Sequence, residues 1–410
     1  MDFLSLSEQM AGIDRQLITF NPEACLNATC RFAKCELCHE ICPVDAIQPG
    51  QPYPNFSQNE CVKCNACLPI CPVGAFKAED AVLNLLKCVS RFQLHSMEIL
   101  CEKHPATAEG SPTLDIAYQI RGCLAGLGSG AYLALFALGA ENVIMRTDAC
   151  EACPWGTLYP RIESQIQKAK TFLHAWEWDG RLSSISKIPE NEEHERPLWN
   201  TENLPISRRD LFRLSSQHSD FTLARELAGD YENEGHHPSH NQVRLLASIR
   251  KLIELNPPLQ DPVLDSLGFA KLTVDVSCTA CGACSRICPT EALSLERDTK
   301  EKYFRLRFYP ERCIDCGVCI HACMPHSLTI DSKPSFQYVF GSTKPITLRE
   351  GELTRCEGCK VWFASEVGEE YCPGCEYRRK NLYGSMIPRD WQPGTKGPYK
   401  PNKQSKDQAP

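Results

Sequence analysis

The chain has 410 residues, of which 42% are hydrophobic and 23% charged, and its formal net charge is −7. That length calls for roughly three domains, and the acidic balance argues against a nucleic-acid binder, which usually carries a basic face. Twenty-six cysteines, together with an opening MDFLSLSEQMAGIDRQLITF that lacks a basic start followed by an apolar core, point to cytoplasmic metal ligation and away from secreted disulfides.

Residues 20–80 are expected to form the first module. CVKCNACLPICP, from Cys61, spells cysteine, two residues, cysteine, two residues, cysteine, three residues, cysteine, and then proline. The same spelling returns at CTACGACSRICP from Cys278 and at CIDCGVCIHACMP from Cys313, and a stretched version ends in CELCHEICP at Cys42. This is the spacing of a 4Fe-4S binder: three thiolates on one tight loop hold three corners of a cuboidal cluster, and a distant cysteine reaches the fourth iron, usually crosswise. In the first module this assigns Cys61, Cys64, Cys67 and Cys42 to one cluster. The stretched half contributes Cys35, Cys38 and Cys71 to the other, with Cys25 or Cys30 as the fourth ligand. Each CP is followed by an apolar step, VDAI or VGAF, which reads as a short helix leading into a small strand. The run CLNATCRFAKCELCHEICPVDAI resembles ferredoxins of the nitrate-reductase accessory type, where an early cysteine precedes a basic stretch and the short motif. That resemblance favours Cys25.

Residues 88–178 change character. SMEILCEKHP, LDIAYQIRGC and ENVIMRTDAC read as strands, with helices over GAYLALFALGA and TLYPRIESQIQKAKTFLHAWEW, a pattern that predicts a small parallel α/β domain. Gly122–Ala140 runs nineteen residues without a charge, but its glycines divide it into a loop and a short buried helix, so no membrane insertion is expected. Cys88, on the apolar face of LNLLKCVSRF, reads as a core residue. The segments ILCEKHP, IRGCLAGLGSG, LFALGAENVIM and DACEACPWG resemble the delta-subunit family that links hydrogenases to heterodisulfide reductases. The resemblance covers about 80 residues and implies a 2Fe-2S cluster held by Cys101, Cys123, Cys150 and Cys153. A domain that kept this fold and lost its metal is the alternative.

Residues 180–265 read as a polar, Pro-punctuated linker with helical pieces such as QVRLLASIRKLIEL. Ser207-Arg208-Arg209-Asp210-Leu211-Phe212 looks like a twin-arginine motif, yet the residues after it are too polar for an export core. It is similar to the SRR-plus-hydrophobic element that opens accessory ferredoxins.

Residues 270–335 form the second expected module. Crosswise ligation assigns Cys278, Cys281, Cys284 and Cys323 to one cluster, and Cys313, Cys316, Cys319 and Cys288 to the other. Its halves are 24 residues apart between Cys288 and Cys313, against 18 between Cys42 and Cys61. The extra length predicts a longer hairpin through LSLERDTKEKYFRLRFYP. At residues 350–384, CEGCKVWFASEVGEEYCPGC brings Cys356, Cys359, Cys372 and Cys375 into a tetrahedral zinc-ribbon pattern. It is similar to the rubredoxin-like tails of rubrerythrin-type proteins, which hold iron, but Lys360 replaces the glycine usual after the first knuckle and favours zinc. Residues 385–410 are expected to be disordered.

The expected fold is thus α+β: two ferredoxin-like 2[4Fe-4S] modules flanking a small α/β domain, with a C-terminal zinc-ribbon or rubredoxin-like knuckle. No dinucleotide fingerprint, phosphate loop or nucleophile constellation appears. The reading is an iron–sulfur electron-transfer subunit or adaptor of an anaerobic oxidoreductase complex, with redox proteins as partners. Resemblance alone suggests hydrogenase, heterodisulfide-reductase-like or formate-dehydrogenase partners. The alternatives are an assembly factor for a metalloenzyme, or a catalytic subunit using the middle domain.

Overall fold

The computed structural model describes residues 17–105, 109–110, 114–187, 194–195, 197–203, 221–229, 239–365 and 369–380. The SRRDLF element at 207–212 and the tail at 385–410 lie outside these residues. The chain divides into two compact units: Met1–Cys278, Gly282–Glu296 and Arg305–Arg349 form the first, and Thr279–Cys281, Arg297–Phe304 and Glu350–Pro410 the second.

At the centre of the first unit lies a five-stranded parallel sheet. Its strands are β1 (Ser96–Leu100), β2 (Ile116–Gln119), β3 (Asn142–Arg146), β4 (Leu182–Ile185) and β5 (Leu198–Asn200), in the order β5-β2-β1-β3-β4. β1 is central, with Met97 opposite both Ile116 and Val143 and Ile99 opposite both Tyr118 and Met145. MEIL, IAY and VIM are almost continuously apolar, as befits parallel strands covered on both faces. The helices that matter here are α1 (Val82–Phe92), α2 (Ser129–Ala137), α3 (Tyr159–Leu173), α4 (Thr222–Ala228) and α5 (His240–Leu255).

Every residue of α2 is buried, because α1, α3, α4 and α5 all pack against it. This accounts for the uncharged stretch: nine residues rise only about 14 Å, too little to span a bilayer. Among the described residues no helix is long and apolar enough to cross a membrane. α1 is amphipathic and buries Leu85, Leu86, Cys88 and Val89, and the Cys88 thiol faces the Thr201 carbonyl at 3.8 Å. Replacing Cys88 by Ser is therefore expected to leave the iron content of the purified protein unchanged, as an iron assay would establish.

The segment read as a linker is only partly one. β4 pairs with β3 and β5 with β2, and α5 buries Leu245, Ile249 and Leu252. The α/β domain therefore extends well past residue 178. LSSI and LWN escaped notice because strands of three or four residues at a sheet edge, half-exposed, carry little hydrophobic periodicity. α5 is pinned at its start by Ser239, whose side chain accepts from Gln242 N. Arg244 grips both carboxylate oxygens of Asp80, at 2.6 and 3.1 Å, and donates to the Ala228 carbonyl. One buried guanidinium thus joins the end of the first module to α4 and α5.

In the first module Thr19–Phe20 pairs antiparallel with Phe76–Lys77, and Ile47–Gln48 with Asn55–Phe56. Phe76 packs against Phe20 and Phe56 between them. The second module repeats the outer pairing on a larger scale, Lys271–Val274 against Leu328–Asp331. Its inner strands, Leu293–Asp298 and Tyr303–Phe308, are neighbours in one sheet and have six residues each, which uses the longer spacing between its halves. In the second unit Leu353, Thr354 and Arg355 pair antiparallel with Ala364, Phe363 and Trp362, and the helix Pro373–Lys380 follows Cys372.

Candidate cluster and metal sites

Three cysteine loops share one backbone shape. The residues on either side of the second cysteine are left-handed in each: Lys63 and Asn65, Ala280 and Gly282, Asp315 and Gly317. Glycine and asparagine enter this region at low cost, which explains Asn65, Gly282 and Gly317. Successive residues of opposite hand curl the backbone so that its N–H groups face a common centre, a concavity suited to anions. The stretched Cys35–Cys38 segment lacks this pattern.

The first module gathers its thiols crosswise. Burial pushes the Cys67 thiol well up, and Cys64, Cys61 and Cys42 then add to the effect. Cys64 rises to about 11 through burial, with Cys42 and Cys61 as its neighbours. In the other group burial takes Cys38 to about 12, helped by Cys71, Cys35 and Cys25. The Cys71 sulfur accepts a hydrogen bond from Ala75 N at 3.2 Å. Cys25 lies within electrostatic reach of Cys35, Cys38 and Cys71, and Cys30 within that of Cys316. Replacing Cys25 by Ser is expected to cost about four irons, while Cys30→Ser should keep them; loss in Cys30→Ser with full iron in Cys25→Ser would reverse the assignment. Asn27, unnoticed in the sequence, brackets Cys35: its Oδ1 accepts from Cys35 N and its Nδ2 donates to Cys35 O, both at 2.8 Å. This clamp fixes the Cys35 backbone against the one-turn helix Leu26–Thr29.

In the second module burial drives Cys313 to about 12, with Cys288 and Cys316 alongside. Cys319 is pushed up by burial and then by Cys313, Cys316 and Cys288. Cys288 therefore crosses to the Cys313 loop. Cys284 and Cys323 are buried in one apolar cluster against which Cys278 packs. Cys281 is exposed and belongs to the second unit.

The middle cysteines also converge. Cys101 follows β1, Cys123 follows β2, and Cys150 and Cys153 follow β3, so all four stand at the carboxyl ends of parallel strands, where ligands usually bind. They line one cavity with Lys103, Arg146 and Trp155. Burial lifts Cys150 to about 11, with Cys101 and Cys153 next in effect, and lifts Cys123 to about 12. Trp155 N points at the Cys153 sulfur at 3.4 Å. An ion network invisible in the sequence lies beneath: Arg146 contacts Glu98 at 3.1 Å and Asp148 at 2.7 Å, and His104 meets Asp148 at 3.0 Å. It ties the loop carrying Cys101 to the loop carrying Cys150.

In the second unit the four tail sulfurs lie within 4.8 Å of one another. Lys360 takes the left-handed backbone expected of the missing glycine (φ 62°), so the knuckle keeps its turn. Burial would raise the Cys356 thiol, but N–H groups of Cys372, Cys359 and Gly358 outweigh it and hold the thiol low. Cys372 is raised by burial, and Cys375 goes up to about 12, chiefly through sharing a proton with Cys359. A bound metal must displace those protons. Affinity at this site is expected to fall as the pH drops, with release followed by a chromogenic chelator; release independent of pH would contradict it.

Residues 277–327 match a 4Fe-4S dicluster domain. Residues 54–77 match a 4Fe-4S binding domain. The chain thus carries two 4Fe-4S ferredoxin-type domains. No curated protein matches it. The two matches cover three of the four ferredoxin half-motifs, leaving out the stretched Cys35–Cys42 half.

The donor sets fit clusters. All twenty-six cysteines are free thiols, Cys42, Cys61, Cys64 and Cys67 line one cavity and Cys288, Cys313, Cys316 and Cys319 another, and N–H groups aim at sulfur at Cys71 and Cys313. In the middle domain the Tyr132 hydroxyl is buried without a hydrogen-bond partner among the described residues, within electrostatic reach of Cys123. It is a donor available to an acceptor held there.

Proposed function

We propose that the chain relays electrons as a subunit or adaptor of a cytoplasmic anaerobic oxidoreductase complex of the hydrogenase, heterodisulfide-reductase-like or formate-dehydrogenase type. Its 4Fe-4S domains support an iron–sulfur electron-transfer role. In this reading two 2[4Fe-4S] modules flank the α/β domain, Cys101, Cys123, Cys150 and Cys153 hold a 2Fe-2S cluster, and the tail holds zinc. Bound clusters would supply one-electron chemistry with little rearrangement, at potentials set by charge, hydrogen bonds to sulfur and exposure.

The observation that carries the reading is the succession of cysteine groups along the first unit, which holds every ferredoxin and middle-domain cysteine except Cys281. Cys123 of the middle domain lies within electrostatic reach of Cys64. On the far side of the first module, Cys25 and Cys30 share an apolar cluster with Val318, against which Ile314 and Cys316 pack. Phe32 stacks on His321 at the same place. The net charge of −7 suits docking to a basic patch on a redox partner.

A second reading, a catalytic subunit, is favoured by a polar cleft of about 210 Å³ lined by Lys63, Glu79, Glu102, Lys103 and Arg121 beside the middle cysteines.

The test is iron, acid-labile sulfide and zinc per chain on protein purified without oxygen, with EPR of the reduced sample. About 18 irons, one zinc and a 2Fe-2S signal match the five-cluster relay; about 16 irons leave the middle site without metal. Co-purification separates a relay, which stays with a working enzyme, from an assembly factor, which favours the immature form.

A further inference from the structure

The middle domain and the first ferredoxin module meet at two glycines that bracket Cys123. A Cβ built on Gly126 would lie 2.9 Å from the Asn65 Cβ and 3.3 Å from the Cys64 carbonyl oxygen. At Gly122 it would stand 3.3 Å from Asn65 Nδ2 and 3.5 Å from the Lys63 carbonyl oxygen. Gly122 needs glycine twice over, because its φ of +76° is left-handed as well. Gly126 does not have a left-handed φ. What leaves no room for a side chain there is the approach of the Cys64–Asn65 backbone. Asn65, Leu124 and Ala125 are all buried at this contact, while Lys63, Asn65 and Gly122 line the polar cleft at its edge. The short helix Cys67–Ile70 rests on the turn Leu124–Gly126.

We propose that Gly122 and Gly126 are positioning residues that form the electronic junction between the middle four-cysteine site and the first module. They bring the Cys123 loop against the Cys64–Asn65 backbone with no side chain between. The middle site is then an end station of the line, and electrons pass between it and the module at the Cys42–Cys61–Cys64–Cys67 group before any other. This rests on the relay reading above. The physical reason is that electron tunnelling falls off steeply with the gap, so a side chain wedged between two ligand loops acts on the rate even where it touches no thiolate. Cys123 also lies within electrostatic reach of Cys64.

The experiment uses the full chain, purified without oxygen, as wild type, Gly126→Ala and Gly126→Leu. Iron and acid-labile sulfide per chain are measured first, then EPR of the reduced protein for spin–spin interaction between the middle-site signal and the first-module signal. The wild type should show the interaction. Gly126→Leu should keep the wild-type iron content and lose the interaction, and internal electron transfer after a rapid reductant pulse should slow by an order of magnitude or more. If the leucine variant does not fold, Gly126→Ala decides the matter: its Cβ also needs the loops to part, so a weakened interaction at full iron supports the junction. A fully loaded wild type without the interaction, or an interaction unchanged in both variants at full iron, overturns the junction and leaves the relay standing. A chain whose middle site takes up no iron overturns the five-cluster reading and the junction with it.

Discussion

Replacing Cys319 by Ser is expected to remove about four irons and leave the remaining cysteine groups loaded. Cys319 lies in the short helix Val318–Ala322, and its thiol is raised by burial and then by Cys313, Cys316 and Cys288. Thiols so raised carry protons when nothing else holds them, and ligation must displace those protons, so each missing thiolate weakens the site as a whole. The crossing makes the experiment sharper. Cys288→Ser should lose the same EPR signal as Cys319→Ser, although 31 residues separate the two positions. Cys284→Ser, only four residues from Cys288, should lose a different one. If Cys284 and Cys288 variants lose the same signal, ligation follows the loops instead of crossing. The first module should stay loaded in all three variants, because its thiols come from other segments of the chain.

Arg146→Ala is expected to destabilise the middle domain by about 3–5 kcal/mol, the usual cost of leaving a buried charge without its partner. The Arg146 and Glu98 side chains are each 1% exposed, and Glu98 sits in the central strand β1, where water cannot take over from the guanidinium. Arg146 also holds Asp148. Burial alone would raise that carboxyl, but hydrogen bonds from His104 and Arg146 outweigh the burial and keep it well below the usual carboxylate range. The sign follows from linkage. A carboxylate depressed in the folded state contributes stability at pH values above its unfolded pKa, and that contribution is lost as the pH falls toward the folded value. The wild-type network should therefore resist mild acid, whereas Arg146→Ala should begin to unfold at a higher pH. Denaturant melts across a pH series measure both effects. The double variant Glu98→Gln, Arg146→Met should recover part of the loss, because it removes the buried charge along with its partner. A single variant as stable as the wild type would mean that the network does not hold the two cysteine loops together.

The ligand loops were legible in the sequence because they are short-range chemistry. A cluster imposes its size on consecutive residues, so thiol spacing, the left-handed Asn65, Gly282 and Gly317, and the uncharged, fully buried α2 are all written locally. A spacing repeated three times, with a stretched fourth copy, cannot be produced by packing alone. Tertiary structure decided the rest, since it depends on residues far apart in the chain. The residue spacing leaves Cys25 and Cys30 open, with only a resemblance favouring Cys25; in the fold Asn27 clamps the Cys35 backbone, Cys25 comes within electrostatic reach of Cys35, and Cys30 within that of Cys316. The edge strands Leu182–Ile185 and Leu198–Asn200 were hidden because half-exposed strands of three or four residues show no period. Nothing in ENVIMRTDAC marks Arg146 out; the parallel pairing of β1 with β3 is what brings it against Glu98. Gly126 looked like part of a glycine-rich loop, and only the approach of Asn65 shows that the space beside it is already taken.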